Sequence, residues 1–225
     1  MSNEMPDKFS QHWDAWRLFR ILSEFVEGFE SMMSIGPSVA FFGSSQTKKE
    51  DPFYQLAFDM GTKIVAKGFA VITGGGPGIM EAANAGAKSV QGKSCGVCIN
   101  LPTEEEPNSF IDREYLLTFH YFFVRKVMFV RYAQAFVVFP GGFGTFDELF
   151  EALTLVKTKK IDPFPVYLIG TSFWSGLIKW LTEMPLKHAY LNADDIKSMI
   201  VTDDLDKVAD GIEAHYRDCK RLKNF

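Results

Sequence analysis

Short apolar runs alternate with amphipathic stretches along most of this chain. "VAFFG" (39–43), "FAVIT" (69–73), "SCGVCI" (94–99), "AFVVF" (135–139), "PVYLIG" (165–170) and "MIVTD" (199–203) are separated by segments of helical period. Runs this short and this uniformly apolar suit strands buried on both faces, as in a parallel sheet. Parallel strands need a long crossover between them, and a helix supplies it. The pattern predicts an α/β fold: one doubly wound parallel sheet with helices on both faces.

Local signals place the helices. Asp51-Pro52 offers an N-cap followed by proline at the first helical position, and Gly68 offers a stop after about Lys67. Further helices are expected at 79–91, 119–133, from the loop at 140 to about Lys159, at 173–184 and at 204–216, with a polar loop at 100–115. Residues 10–33 read as an amphipathic helix in which Trp13, Trp16, Phe19, Leu22, Val26, Phe29 and Met33 recur at spacings of three or four. No linker, repeat or low-complexity segment stands out, so residues 37–225 read as a single domain and residues 1–36 as an N-terminal helical extension packed on it.

Composition narrows the function classes. The chain has 225 residues, enough for one large α/β domain with a full core. A net charge of -4 gives no global basic field for nucleic acid. No apolar run reaches the ~18 residues of a membrane span, and the first residues, "MSNEMPDKF", lack an apolar signal core, so a cytoplasmic location and no membrane partner are expected. The 22 phenylalanines point to a bulky aromatic core or a buried subunit interface. Cys95 and Cys98 form a C-x-x-C, but on a strand residues three apart face opposite ways and can neither bridge nor share a metal. Cys219 and the four histidines show no ligand spacing, so no metal site is expected.

Two glycine-rich loops carry the chemistry. Gly74–Gly78 and Pro140–Thr145 each follow a buried strand and open a helix, and in an open α/β sheet both lie at the carboxyl edge where ligands bind. Glycine lets the backbone approach a ligand, and free N–H groups at a helix start favour an anion. Neither loop is a standard nucleotide signature. Ile79 stands where a dinucleotide motif would have its last glycine, Asn100 ends the third strand where an acid would hold a ribose, and no G-K-[ST] is present. Tight strand-to-helix turns without a ligand are the plainer alternative. Asp147 and Glu148 fall in the predicted first turn of the following helix, and Thr145-Phe146-Asp147-Glu148 fits a capping box in which the glutamate merely closes its helix. Arg125 and Lys126 sit on a helix with apolar residues on nearly every side; a buried arginine there needs an anion, either a phosphate or Glu148.

These residues together resemble the Lonely Guy (LOG) family, whose hallmark is R-K followed by P-G-G-x-G-T-x-x-E. Here the hallmark reads Arg125-Lys126 and Pro140-Gly141-Gly142-Phe143-Gly144-Thr145-Phe146-Asp147-Glu148, and "TGGGPGIMEAANAGA" and "LPTEEEPN" resemble the longer bacterial branch. The resemblance covers about residues 38–216. It implies a Rossmann-like fold and hydrolysis of the N-glycosidic bond of a nucleoside 5′-monophosphate, AMP-like or a cytokinin nucleotide, to free base and ribose 5-phosphate. It further implies Arg125 and Glu148 as the catalytic pair. Phosphate or nucleotide binding would fall to Ser44, Gly75, Gly76, Pro77, Gly78, Lys126, Gly141, Gly142, Phe143, Gly144, Thr145 and Asp147. No cofactor or metal is implied, and a homodimer or larger homo-oligomer is. A lysine decarboxylase, a label such proteins often carry, would need pyridoxal phosphate on a lysine Schiff base, whereas Lys126 is accounted for by the R-K motif. The rivals are a nucleotide-binding sensor or carrier without turnover and a DNA-binding relative of the fold. One departure is Gln46, where relatives often carry arginine. A helix start and Arg125 both favour a charged Glu148, which is therefore expected to be ionised.

Overall fold

The structure is a computed structural model and describes residues 11–101 and 106–218, with side chains from residue 16 onward. Cys219, the side chain of Trp13 and part of the "LPTEEEPN" segment lie outside the described residues. Seven parallel strands form one sheet in the order β4-β3-β2-β1-β5-β6-β7. They are β1 (Ser38–Phe42), β2 (Ala70–Thr73), β3 (Ser94–Ile99), β4 (Leu116–Phe119), β5 (Ala133–Val138), β6 (Val166–Leu168) and β7 (Met199–Val201). The chain starts in the middle: β1 pairs with β2 on one side and with β5 on the other. The order reverses there, which opens a crevice beyond the carboxyl ends of β1 and β5.

Two apolar layers sandwich the sheet. On one face lie α2 (Pro52–Ala66), α3 (Ile79–Ser89) and α8 (Leu205–Asp218), whose Met60, Ile79, Ala82, Val208 and Ile212 are buried together. The other face carries α1 (Gln11–Met32), α4 (Phe122–Tyr132), α5 (Phe143–Lys157) and α6 (Thr171–Leu181), with the short α7 (Ala193–Lys197) beside them. Phenylalanine fills the interior: Phe41, Phe119, Phe129, Phe136 and Phe139 are fully buried, and Phe42 meets Phe129 and Phe136 at 4.9 and 4.8 Å between ring centres. Cys95 and Cys98 are buried free thiols; Cys95 sits against Met32, while Cys98 borders the crevice. Among the described residues no helix is long and apolar enough to cross a membrane.

The local signals at α2 hold. The Asp51 carboxylate accepts the Phe53 N–H at 2.8 Å, Pro52 occupies the first helical position, and Gly68 takes φ +86° just past the end. The polar loop expected at 100–115 is followed by a strand that the apolar runs do not reveal. β4 is a four-residue edge strand whose residues alternate exposed and buried, so it never forms a continuous apolar run, and α4 starts only at Phe122.

The largest difference concerns α1. Trp16, Leu18, Phe19, Leu22, Val26 and Met33 are between 50% and 79% exposed, so the apolar stripe faces outward. The face toward the domain carries Glu24, Gly28 and Met32 instead, with Phe25 and Phe29 partly buried. Gly28 packs against the end of the Met128 side chain of α4, where a β-carbon would lie 2.8 Å from Cε.

Helices α2 and α3 are pressed together backbone to backbone: a β-carbon at Gly86 would run into the Phe58 carbonyl oxygen. In an open helix Gly86→Ala would gain about 1 kcal/mol of propensity. Overpacking at this contact costs about 1–3 kcal/mol and is expected to win. Gly86→Ala should therefore lower the urea midpoint at unchanged slope, and a raised midpoint would refute the close packing.

Candidate active site

Three loops meet at the switch point and are stitched through one residue. The Ser44 N–H, just after β1, donates to the Pro140 carbonyl at 2.9 Å, and the Ser44 carbonyl accepts the Ile79 N–H at 3.1 Å. Gly78 makes the second contact feasible, because it adopts φ +67° and a β-carbon there would collide with the Ser44 carbonyl oxygen. Beneath the loop at 74–78 runs a buried polar network. Thr73 Oγ1 donates to Asn84 Oδ1 at 2.6 Å and accepts the Gly75 N–H at 3.0 Å, and Asn84 Nδ2 donates to Ser94 Oγ at 2.7 Å. Asn108 Nδ2 lies 3.1 Å from the carbonyl oxygens of both Gly75 and Gly76 and 3.0 Å from Asn84 Oδ1. Satisfied networks of this kind rigidify what they support.

Helix α5 begins earlier than the sequence suggests. Gly142 is its N-cap in an extended conformation, and the first backbone bond runs from the Phe146 N–H to the Gly142 carbonyl at 3.1 Å. Thr145 is thus inside the helix and makes no cap, the capping-box reading is wrong, and the first turn holds no acid. Glu148 lies in the second turn. The N–H groups of Phe143, Gly144 and Thr145 consequently lack intrahelical acceptors.

The crevice encloses about 690 Å³. Ser44, Gly75, Gly76 and Pro77 line it from one side, and Gly142, Phe143, Gly144, Thr145 and Asp147 from the other, with Arg125 and Glu148 between. Gln46 also reaches it; its N–H donates to Ser44 Oγ at 3.0 Å. Gly78, Gly141 and Lys126 do not line it. Gly78 and Gly141 shape the loops instead: a β-carbon at Gly141 would strike Thr145 Oγ1. The apolar part of the wall includes Phe42, Met80, Ile99, Leu101 and Phe122.

Lys126 turns to the acids rather than to the crevice. Its ammonium lies 2.9 Å from Asp147, 3.5 Å from Glu148 and 2.6 Å from Glu151. Burial pulls its pKa down, but these carboxylates more than compensate and hold it above 10.5. Arg125 is largely enclosed. Its guanidinium carbon lies 5.5 Å from the centre of the Phe129 ring, and its Nε has no hydrogen-bond acceptor among the described residues. Burial lowers its pKa, opposed mainly by Glu148.

Glu148 is only 6% exposed, and burial raises its pKa from 4.5 to about 7 against the pull of Lys126 and Arg125. The expectation of a firmly ionised carboxylate is overturned. Desolvation outweighs two cations, and the helix start lies a turn further off than the sequence implied.

Asn84, Asn108, Glu151 and the apolar wall were not among the residues picked from sequence. Asn84 could have been: a lone amide in the alanine-rich, buried "EAANAGA" needs a partner.

Fold and crevice define a Rossmann-like α/β protein with an anion-ready pocket at its switch point. The chain belongs to the LOG family, matching the family described as "Possible lysine decarboxylase" over residues 80–212. A cytokinin riboside 5'-monophosphate phosphoribohydrolase of Mycobacterium marinum is 30% identical over 153 residues, covering 68% of this chain and 81% of the relative. One of the same name from Arabidopsis thaliana is 31% identical over 154 residues, covering 66% and 68%. Among solved structures, the molybdenum cofactor carrier protein of Chlamydomonas reinhardtii shares the fold with a TM-score of 0.60 at 23% identity, covering 80% of this chain and 99% of its own.

The titration of Glu148 makes a stability prediction. Its folded pKa lies above the unfolded one, so stability held below about pH 4.5 is lost as the pH rises through about 7. The loss amounts to about 3 kcal/mol at most. Glu148→Gln is expected to melt at or above the wild-type temperature at pH 8, with the gap closing toward pH 5. A gap that widens on acidification would contradict the burial argument.

Proposed function

We propose that the protein hydrolyses the N-glycosidic bond of a nucleoside 5′-monophosphate, releasing free base and ribose 5-phosphate. The observation that carries this reading is the buried Glu148 facing the same crevice as the open N–H groups at the start of α5. Those N–H groups suit a 5′-phosphate. Breaking the ribosyl C–N bond builds positive charge on the sugar, which a carboxylate one turn further along can stabilise. Glu148 takes a proton from water, the hydroxyl adds to the anomeric carbon, and the base departs with the bonding electrons and takes up a proton from solvent, to which Glu148 returns its own. A base that titrates near 7 is matched to this task at neutral pH. Arg125 supplies the positive charge opposite both the phosphate and the carboxylate.

The names borne by the relatives from Mycobacterium marinum and Arabidopsis thaliana support the reading. A pyridoxal-dependent decarboxylase fits poorly. No lysine is among the described residues lining the crevice, and Lys126 is held protonated by three carboxylates, whereas a Schiff base needs a free amine. The rival from another class is a carrier that binds its ligand without turnover. A buried acid facing the ligand is of no evident use to a carrier and favours the enzyme.

Release of free base from a panel of nucleoside monophosphates tests the reading. AMP should be cleaved and adenosine should not, since remote binding energy positions the sugar. Glu148→Gln should bind AMP yet lose roughly 10²-fold or more in turnover. The wild-type kcat/KM should climb with pH and level off above about 7. Equal cleavage of AMP and adenosine, or an active Gln variant, would sink the assignment.

The same reading extends to assembly: a second copy of the chain covers the outward stripe of α1. Aromatic side chains of this kind bury about 150–250 Å² each, so the stripe approaches the ~800 Å² per partner of a standard interface. Charge suits an antiparallel, two-fold pairing, with exposed Arg17 and Arg20 toward one end of α1 and exposed Glu27 and Glu30 toward the other. These exposed charges on the helix balance and give no basic face for an anionic lipid surface. Light scattering should give at least twice the 25.4 kDa chain mass, and Leu22→Glu with Val26→Glu should give a folded monomer. A wild-type monomer, or a double variant that still associates, would refute the pairing.

A further inference from the structure

We infer that the N-terminal helix belongs to the reaction apparatus, with Glu24 of α1 acting as a positioning residue for the helix that carries Arg125. The inference rests on the proposed role of Arg125 and concerns a helix outside the matched residues 80–212.

Glu24 is an acid on a surface helix, yet it is only 6% exposed. Its carboxylate sits at the start of α4. The two oxygens accept the His120 N–H at 3.1 and 3.2 Å, and one of them accepts the Tyr121 N–H at 3.3 Å. Tyr121 is the N-cap of α4, and no side chain of that segment caps the helix. The cap is supplied from a residue 97 positions away in the chain. A carboxylate at this end also meets the positive pole of the helix.

A relay fixes the carboxylate in turn. Arg20 Nη2 lies 2.8 Å from His120 Nε2, and His120 Nδ1 lies 3.1 Å from Glu24 Oε1. An arginine only donates, so Nε2 accepts and Nδ1 carries the proton that it gives to Glu24. Arg20 thus donates to His120 and His120 to Glu24, and the backbone N–H groups of His120 and Tyr121 donate to the same carboxylate. One turn further along α4 stands Arg125, and the Arg125 N–H itself bonds to the Tyr121 carbonyl at 3.3 Å. The close contact of Gly28 with Met128 pins the next turn. The start of α4 therefore cannot shift without moving both the Arg125 guanidinium and Phe122 on the crevice wall. Arg125 Nε has no acceptor among the described residues, so the guanidinium is placed by its packing over Phe129, by its attraction to Glu148 and by the position of the helix that carries it.

Glu24→Ala removes the cap, and Glu24→Gln keeps the volume and one acceptor oxygen. In base release from AMP, Glu24→Ala should lower kcat about tenfold while KM for AMP changes less, since the N–H groups of α5 still hold the phosphate; misplacement well below 1 Å suffices for such a loss. Glu24→Gln should recover part of it. In an Arg125→Ala background, Glu24→Ala should cause no further loss of kcat while still lowering the melting temperature. A merely structural role would give the same fractional loss in both backgrounds and would overturn the inference. A readout independent of turnover separates it from the proposed reaction. The Arg125 Nε–H resonance, assigned by its disappearance in Arg125→Ala, should shift in Glu24→Ala and shift less in Glu24→Gln, with α8 amides unmoved. An unmoved Arg125 resonance refutes the positioning role whether or not the protein cleaves AMP, whereas a shifted one in a protein that cleaves no nucleotide leaves the role standing and defeats only the reaction.

Discussion

The crevice depends on two hydrogen bonds made by one residue. Ser44 gives its N–H to Pro140 and takes the N–H of Ile79, which ties the ends of β1, β5 and the start of α3 at a single point. Each of these segments leaves a strand that is locked in the middle of a parallel sheet, so none can move alone. Where the strand order reverses, the helices on either side diverge, and the gap between them is forced on the fold rather than added to it. Gly78 is a consequence of this tie, since the Ser44 carbonyl passes too close for a β-carbon, while at Gly141 the Thr145 side chain fills that space.

Electrostatics set the character of that gap. An arginine and a glutamate are both held largely out of water, and neither is fully matched by the other. Lys126 neutralises the flanking acids Asp147 and Glu151, leaving Glu148 close to its own balance point between charged and neutral. A group balanced in this way costs stability at neutral pH. Structures tend to carry such costs where binding or chemistry needs them.

Much of this could be read from the chain alone, for a physical reason. Strands buried on both faces leave continuous apolar runs, and α2 carries its own start and stop in Asp51, Pro52 and Gly68. What escaped depends on partners distant in sequence. β4 is half exposed at an edge and lacks the run. The start of α5 was misjudged because Thr145 offers an evident cap, whereas the true one is the unremarkable backbone of Gly142. The facing of α1 was hidden because a glycine and an acid make the contact, against the trend that apolar residues turn inward. The charge state of Glu148 followed the same rule: its neighbours were legible, but its depth was not.

The two ends of the sheet carry a consequence of their own. β4 has four residues and β7 only three, so each outer border offers very few free N–H and C=O groups. A strand from another chain would find too short a template to extend the sheet, which is a common protection against runaway strand addition. Copies of this protein are thereby steered to meet through helix surfaces, where side chains rather than bare backbone decide which partner fits.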